Sequence, residues 1–115
     1  MLDITKFHSY SQMLKEAQLA IVVCGDPQKE INHCGYWVQD CAAATENILI
    51  EAQHLQIGSV WLGVYPEEDR VRNMRKLLDI PDTIIPFSII SLGYPAESKS
   101  PSERFDAKRI HNNKW

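Results

Sequence analysis

With 115 residues, 44% hydrophobic and 23% charged, the chain has the makeup of one globular domain, able to bury roughly two-thirds of its unfolded surface. Its net charge of −3 argues against a nucleic-acid backbone as the main partner, since such proteins carry a basic excess. No run approaches the roughly 18 apolar residues that span a bilayer, and Met1-Leu2-Asp3-Ile4-Thr5 lacks the basic-then-apolar order of a signal peptide.

Residues from about 9 to 18 read as a short helix, with Ser9 and Gln12 at capping-box spacing and Tyr10, Met13, Leu14 and Ala17 as its apolar stripe. Ala20-Ile21-Val22-Val23-Cys24 is a β-branched apolar run, hence a buried strand, and Gly25-Asp26-Pro27 ends it. The strongest periodicity runs from about Tyr36 to Leu55. There Val38, Cys41, Ala42, Thr45, Ile48, Leu49, Ala52 and Leu55 recur at helical spacing. Ala42-Ala43-Ala44 presents little bulk, so this is either a central core helix or one shared with a second subunit. Gly58 is placed to turn the chain after it.

Ser59 to Tyr65 reads as a second strand. Pro66 then opens a third helix, with Glu67, Glu68 and Asp69 at its positive end and Val71, Met74, Leu77 and Leu78 as its buried face. Ile80-Pro81 closes it, and a third strand is expected from Pro86 to Leu92. From Ala96 the chain turns polar, yet it carries Phe105, Ile110 and Trp115, as an arm packing on something such as a partner subunit would.

Three cysteines, Cys24, Cys34 and Cys41, make no disulfide framework, and a reducing cytosol is the simplest setting. Adjacent His33 and Cys34 would be awkward ligands for one zinc ion, so these are buried or half-buried structural thiols. His8, His33, His54 and His111 show no site spacing and read as exposed or locally bonded. The dinucleotide turn, the phosphate-binding loop and the nucleophile elbow are all absent. Two places stand out. Gly58 and Gly63 flank the strand holding Trp61, where a glycine marks either a bulge or the close approach of a ligand. Lys99, Arg104, Lys108 and Arg109 make a basic tail, in which arginine can grip a phosphate.

Trp37-Val38-Gln39-Asp40 followed by Ala42-Ala43-Ala44-Thr45-Glu46-Asn47-Ile48-Leu49 resembles the central helix of the nitroreductase family. Ile57-Gly58-Ser59-Val60-Trp61-Leu62-Gly63, Leu77-Leu78-Asp79-Ile80-Pro81, Leu92-Gly93-Tyr94-Pro95 and the tail residues Arg104, Ile110-His111 and Trp115 resemble later family segments in the same order. The resemblance implies an α+β fold of one nitroreductase-like domain over residues 1–115, with 96–115 as an arm. It implies an intertwined homodimer with FMN at the interface, taking a hydride from NADH or NADPH and passing it to a small-molecule acceptor such as a nitro-aromatic or quinone.

By position, Leu62 and Gly63 would offer main-chain groups to the flavin N5 and O4 edge, Trp61 would shape that wall, and Arg104 with Lys99 would hold the phosphate. The family's amino-terminal Arg-x-Ser-x-Arg and Pro-Ser-x-x-Asn-x-Gln-Pro-Trp stretches have no counterpart before Ala20. The expectation is a chain lacking that segment and binding FMN poorly, with a non-catalytic remnant that keeps fold and dimer surface as the alternative.

Overall fold

The computed structural model describes residues 1–115. Three strands, β1 (Leu19–Gly25), β2 (Gly58–Gly63) and β3 (Ile85–Gly93), form an antiparallel sheet in the order β1-β3-β2. The last strand in sequence is thus the middle one. Its residues from Pro86 to Ser91 are all buried, which is why Pro86-Phe87-Ser88-Ile89-Ile90-Ser91 carries no exposed polar face. Pro86 is accommodated at a register shift, where Phe87 bulges out of the pairing with β1.

Helix α1 (Trp37–His54) covers one face of the sheet through Cys41, Thr45 and Ala52. The other face packs against helix α2 (Glu68–Leu78) and the amino-terminal segment. Its core is Ile4, Leu14, Leu62, Val64, Met74 and Ile89. The fold is α+β, as expected.

Several local expectations are corrected. Residues 9–18 do not form one helix: the segment holds a single 3-10 turn, Gln12–Lys15, preceded by another at Leu2–Lys6, and Tyr10 is exposed. Ser9 caps nothing, whereas the Ser11 hydroxyl donates back to the His8 carbonyl at 2.6 Å and favours a turn over a continuing helix. Pro66 follows a cis peptide bond in the connection, and α2 begins at Glu68 with Glu67 as its N-cap. Gln56, at a φ of 58°, turns the chain after α1, and Asp79, at 52°, ends α2; both are non-glycine residues in the left-handed region. Gly58 instead starts β2, where an added Cβ would lie 3.0 Å from the Gly93 carbonyl oxygen.

Residues 96–115 form an exposed arm with one 3-10 turn, Ala107–Arg109. Phe105, Ile110 and Trp115 all lie on its surface. The accessible surface totals 8913 Å², where about 6,400 Å² is expected for a compact monomer of this mass. The radius of gyration is 16.5 Å against roughly 13 Å for a compact chain of this length.

Candidate functional site

Strand β2 is an edge strand, and the direction of its main-chain groups follows from the ladder. Val64 stands opposite Phe87 in the register that pairs Leu62 with Ile89, and its N–H donates to the Phe87 carbonyl at 3.1 Å. Main-chain direction alternates along an antiparallel strand. Leu62, Val60 and Gly58 therefore turn their N–H and C=O groups toward β3, while Gly63, Trp61 and Ser59 turn theirs to the free edge. Of the two residues expected to offer main-chain groups, Leu62 and Gly63, only Gly63 turns them to the free edge. The Leu62 side chain lies in the core, 3% exposed.

Gly63 differs from Gly58 in one respect. A Cβ built on Gly63 would meet nothing within 4 Å. No packing inside the chain demands a glycine there, and the space above its main chain is open. Beside it stand four aromatic rings: Trp61 and Phe87 with centroids 6.0 Å apart, Tyr65 and Phe87 at 6.5 Å, and Trp37 and Tyr65 at 4.9 Å. Trp61 and Tyr65 are both partly exposed, so the cluster forms a wall rather than a sealed core.

The Gly63 carbonyl, facing the same edge, accepts two hydrogen bonds. His8 Nε2 lies at 2.9 Å and Arg70 Nη1 at 2.9 Å. His8 is 2% exposed, which corrects its reading as an exposed or locally bonded residue. Its partner lies 55 residues along the chain, a pairing that no local spacing announces. Its setting between the core residues Ile4 and Leu14 is the one hint the sequence offers.

At the other end of β2 a cavity of 1070 Å³ opens between the body and the arm. Gly58, Ser59, Val60, Tyr94, Lys99 and Arg104 are among its lining residues. Lys99 and Arg104 therefore share one cavity at the start of β2, whereas Trp61 and Gly63 stand outside it toward the strand's far end. Arg104 Nε donates to Ser102 Oγ at 2.8 Å, which leaves its terminal nitrogens uncommitted. Lys99 pairs with Glu97 at 2.8 Å, and that hydrogen bond, reinforced by the carboxylate's charge, raises the ammonium pKa above its usual value.

Cys24 and Cys41 line a separate cavity of 320 Å³ with Trp37. Desolvation raises the pKa of both thiols, and for Cys41 the neighbouring Cys24 and Asp40 add to the rise. Cys24 and Cys34 are both exposed, so of the three only Cys41 is a buried thiol. A hollow of 750 Å³ on the outer side of α2 is structural: its Arg75 is committed to the carbonyls of Asp82 and Ile84.

The family profile described as "Nitroreductase family" matches residues 5–94. An Archaeoglobus fulgidus protein, provisionally named NADH dehydrogenase/NAD(P)H nitroreductase, is 53% identical over 110 residues, covering 93% of this chain and 63% of the relative. A Methanothermobacter thermautotrophicus protein with the same provisional name is 51% identical, covering 97% of this chain and 58% of its own length. The chain thus spans about three-fifths of these curated relatives. Among solved structures, a Clostridium acetobutylicum protein provisionally named NADH oxidase superposes with a TM-score of 0.92 at 46% identity, covering 98% of this chain and 68% of that one. An FMN-dependent nitroreductase from Clostridium difficile gives 0.83 at 30% identity, covering 96% and 65%. A fold shared at that similarity, together with a family profile spanning most of the residues, means that the chain belongs to the nitroreductase family.

Proposed function

We propose that the protein is an FMN-dependent oxidoreductase that takes reducing equivalents from NADH or NADPH and delivers them to a small acceptor such as a nitro-aromatic or quinone. The observation that carries this reading is the free edge of β2 at Gly63. It offers an outward N–H, open space where a side chain would stand, and an aromatic wall beside it. The names of the relatives support the nicotinamide donor, and the Clostridium difficile neighbour supports FMN.

When bound, FMN would supply the redox chemistry, accepting a hydride at N5 and passing it on. The residues of the chain supply position and charge. Gly63 presents its N–H at the flavin rim, and the missing side chain lets the main chain come close. Trp61 closes the space beside the rim and keeps water from it. Arg104 offers its free guanidinium nitrogens to the phosphate as a two-pronged donor, and Lys99 adds charge once it lets go of Glu97.

A second copy of the chain is the partner that best suits this surface. The excess of exposed area and the apolar side chains of the arm both support a homodimer, with the exposed side of α1, including Ala43, Ala44 and Ile50, as part of the contact. Three free thiols suit a reducing setting such as the cytosol; no helix is long and apolar enough to cross a membrane.

Titration of the purified chain into FMN, followed by flavin fluorescence, tests the reading. Weak but saturable quenching, followed by bleaching of the bound flavin on addition of NADH or NADPH, is the expected result. A titration that stays flat up to about millimolar concentration would overturn it and favour a remnant that keeps the fold without the flavin.

A further inference from the structure

His8 and Arg70 reach the Gly63 carbonyl from two different elements. His8 lies in the loop between the two amino-terminal 3-10 turns, and Arg70 in the first turns of α2. Both donors end 2.9 Å from the same oxygen. A carbonyl oxygen only accepts, so His8 must carry its proton on Nε2. In the neutral ring Nδ1 is then a bare acceptor, and it is buried without a partner. A leucine or phenylalanine would fill the same space without leaving a polar atom unsatisfied, which ordinarily costs stability. The Nε2–H is therefore what a histidine contributes here.

That N–H holds one particular peptide. On its other side, the Val64 N–H donates to Phe87 at 3.1 Å, so the Gly63–Val64 plane is held from both flanks. Gly63 needs this more than other residues do. With no Cβ and nothing packed above it, its own backbone preference is weak and no side chain resists rotation.

We infer that His8 and Arg70 are positioning residues: by clamping the Gly63 carbonyl from outside the sheet, they fix the Gly63–Val64 peptide and so restrict rotation about Gly63, whose own N–H, in the preceding peptide, the free edge presents to its ligand. The inference rests on the flavin reading above. Its physical content is that a donor at a glycine must be held within a fraction of an ångström to be useful, and here the holding groups come from the opposite layer of the fold.

Four variants test it: His8→Phe, which keeps the ring shape without a donor; His8→Gln, whose amide can still donate; Arg70→Met; and Arg70→Lys. Amide hydrogen exchange is measured on each apo chain, and FMN affinity by fluorescence. The expected result is that His8→Phe and Arg70→Met lower protection of the Val64 amide about tenfold more than that of Ile89 and Ile90. FMN binding weakens by about tenfold in the same two variants, with partial recovery in His8→Gln and Arg70→Lys. A uniform loss of protection across the sheet would mean a purely structural role and overturn the inference. So would unchanged FMN affinity in both donor-less variants when the wild type binds. A wild type that leaves flavin fluorescence unchanged overturns the flavin reading, and this inference with it. If His8→Phe does not fold, Arg70→Met, at a half-buried rather than buried position, decides by the same readouts.

Discussion

Thr45 on α1 and Ser88 on β3 meet hydroxyl to hydroxyl at 2.9 Å, both fully buried and 43 residues apart in the chain. Thr45 also has the Cys41 carbonyl at 2.7 Å, so the two side chains close a short polar line across the helix–sheet interface. Thr45→Val keeps the shape and removes the hydroxyl, leaving Ser88 without this partner. The expected cost is about 1–3 kcal/mol, read as a fall of several degrees in Tm by calorimetry. Thr45→Val with Ser88→Ala should cost less than the two single changes added together. Strict additivity would mean that the pair is not coupled.

Gly25→Ala is expected to destabilise by about 1–3 kcal/mol, because the added methyl group overlaps a filled space. At that position a Cβ would stand 2.9 Å from Trp37 Cζ3 and 3.2 Å from Cys41 Sγ. Urea denaturation measures the loss, and Trp37→Phe in the same chain should restore part of it. A neutral Gly25→Ala would show that the first turn of α1 yields freely.

Arg104→Ala should weaken FMN binding by roughly ten- to a hundredfold, the span of one hydrogen bond to a charged group at about 1.5–3 kcal/mol. Lys99→Ala should matter less, since its ammonium already pairs with Glu97. Both effects should shrink as salt rises. Equal affinity of wild type and Arg104→Ala in a fluorescence titration would remove the phosphate from the arm.

The thiols of Cys24 and Cys41 bear on alkaline stability. Desolvation, partial at the exposed Cys24, raises both above their ordinary value of 9.0, so in the unfolded chain they ionise first. The stability they contribute is fully present below about pH 9, and is lost as pH rises through the folded-state values. Urea melts from about pH 8 upward should therefore show a declining limb that Cys41→Ala flattens. Iodoacetamide should label Cys34 faster than Cys41, which is buried. Identical limbs in wild type and variant would place the alkaline loss elsewhere.

Removal of residues 96–115 should leave the melting of the sheet nearly unchanged, since Phe105, Ile110 and Trp115 are exposed and lie outside the core. It should instead reduce self-association, measured by sedimentation velocity at micromolar concentration. An intact chain that sediments as a monomer would count against the homodimer.

The order of elements β1, α1, β2, α2, β3 was legible from local pattern alone. Helical spacing from Tyr36 to Leu55, β-branched runs and the glycine and proline boundaries report on neighbours within a turn or two, which is where their physics acts. The ordered family segments, from Trp37 through Pro95, were equally open to reading. Other features depended on contacts between distant residues. The apolar run from Pro86 to Leu92 does not say which two strands flank it, and the order β1-β3-β2 leaves the Gly63 edge of β2 free. His8 showed no spacing because its partner is set by the packing of the amino-terminal turns against β2. Gln56 and Asp79 reverse the chain at positive φ without glycine, since the elements on either side hold them there. Local sequence determines which segments become helix or strand; which main-chain groups are left to face a ligand is decided by pairing across the sheet, where hydrogen bonds connect residues far apart in the chain.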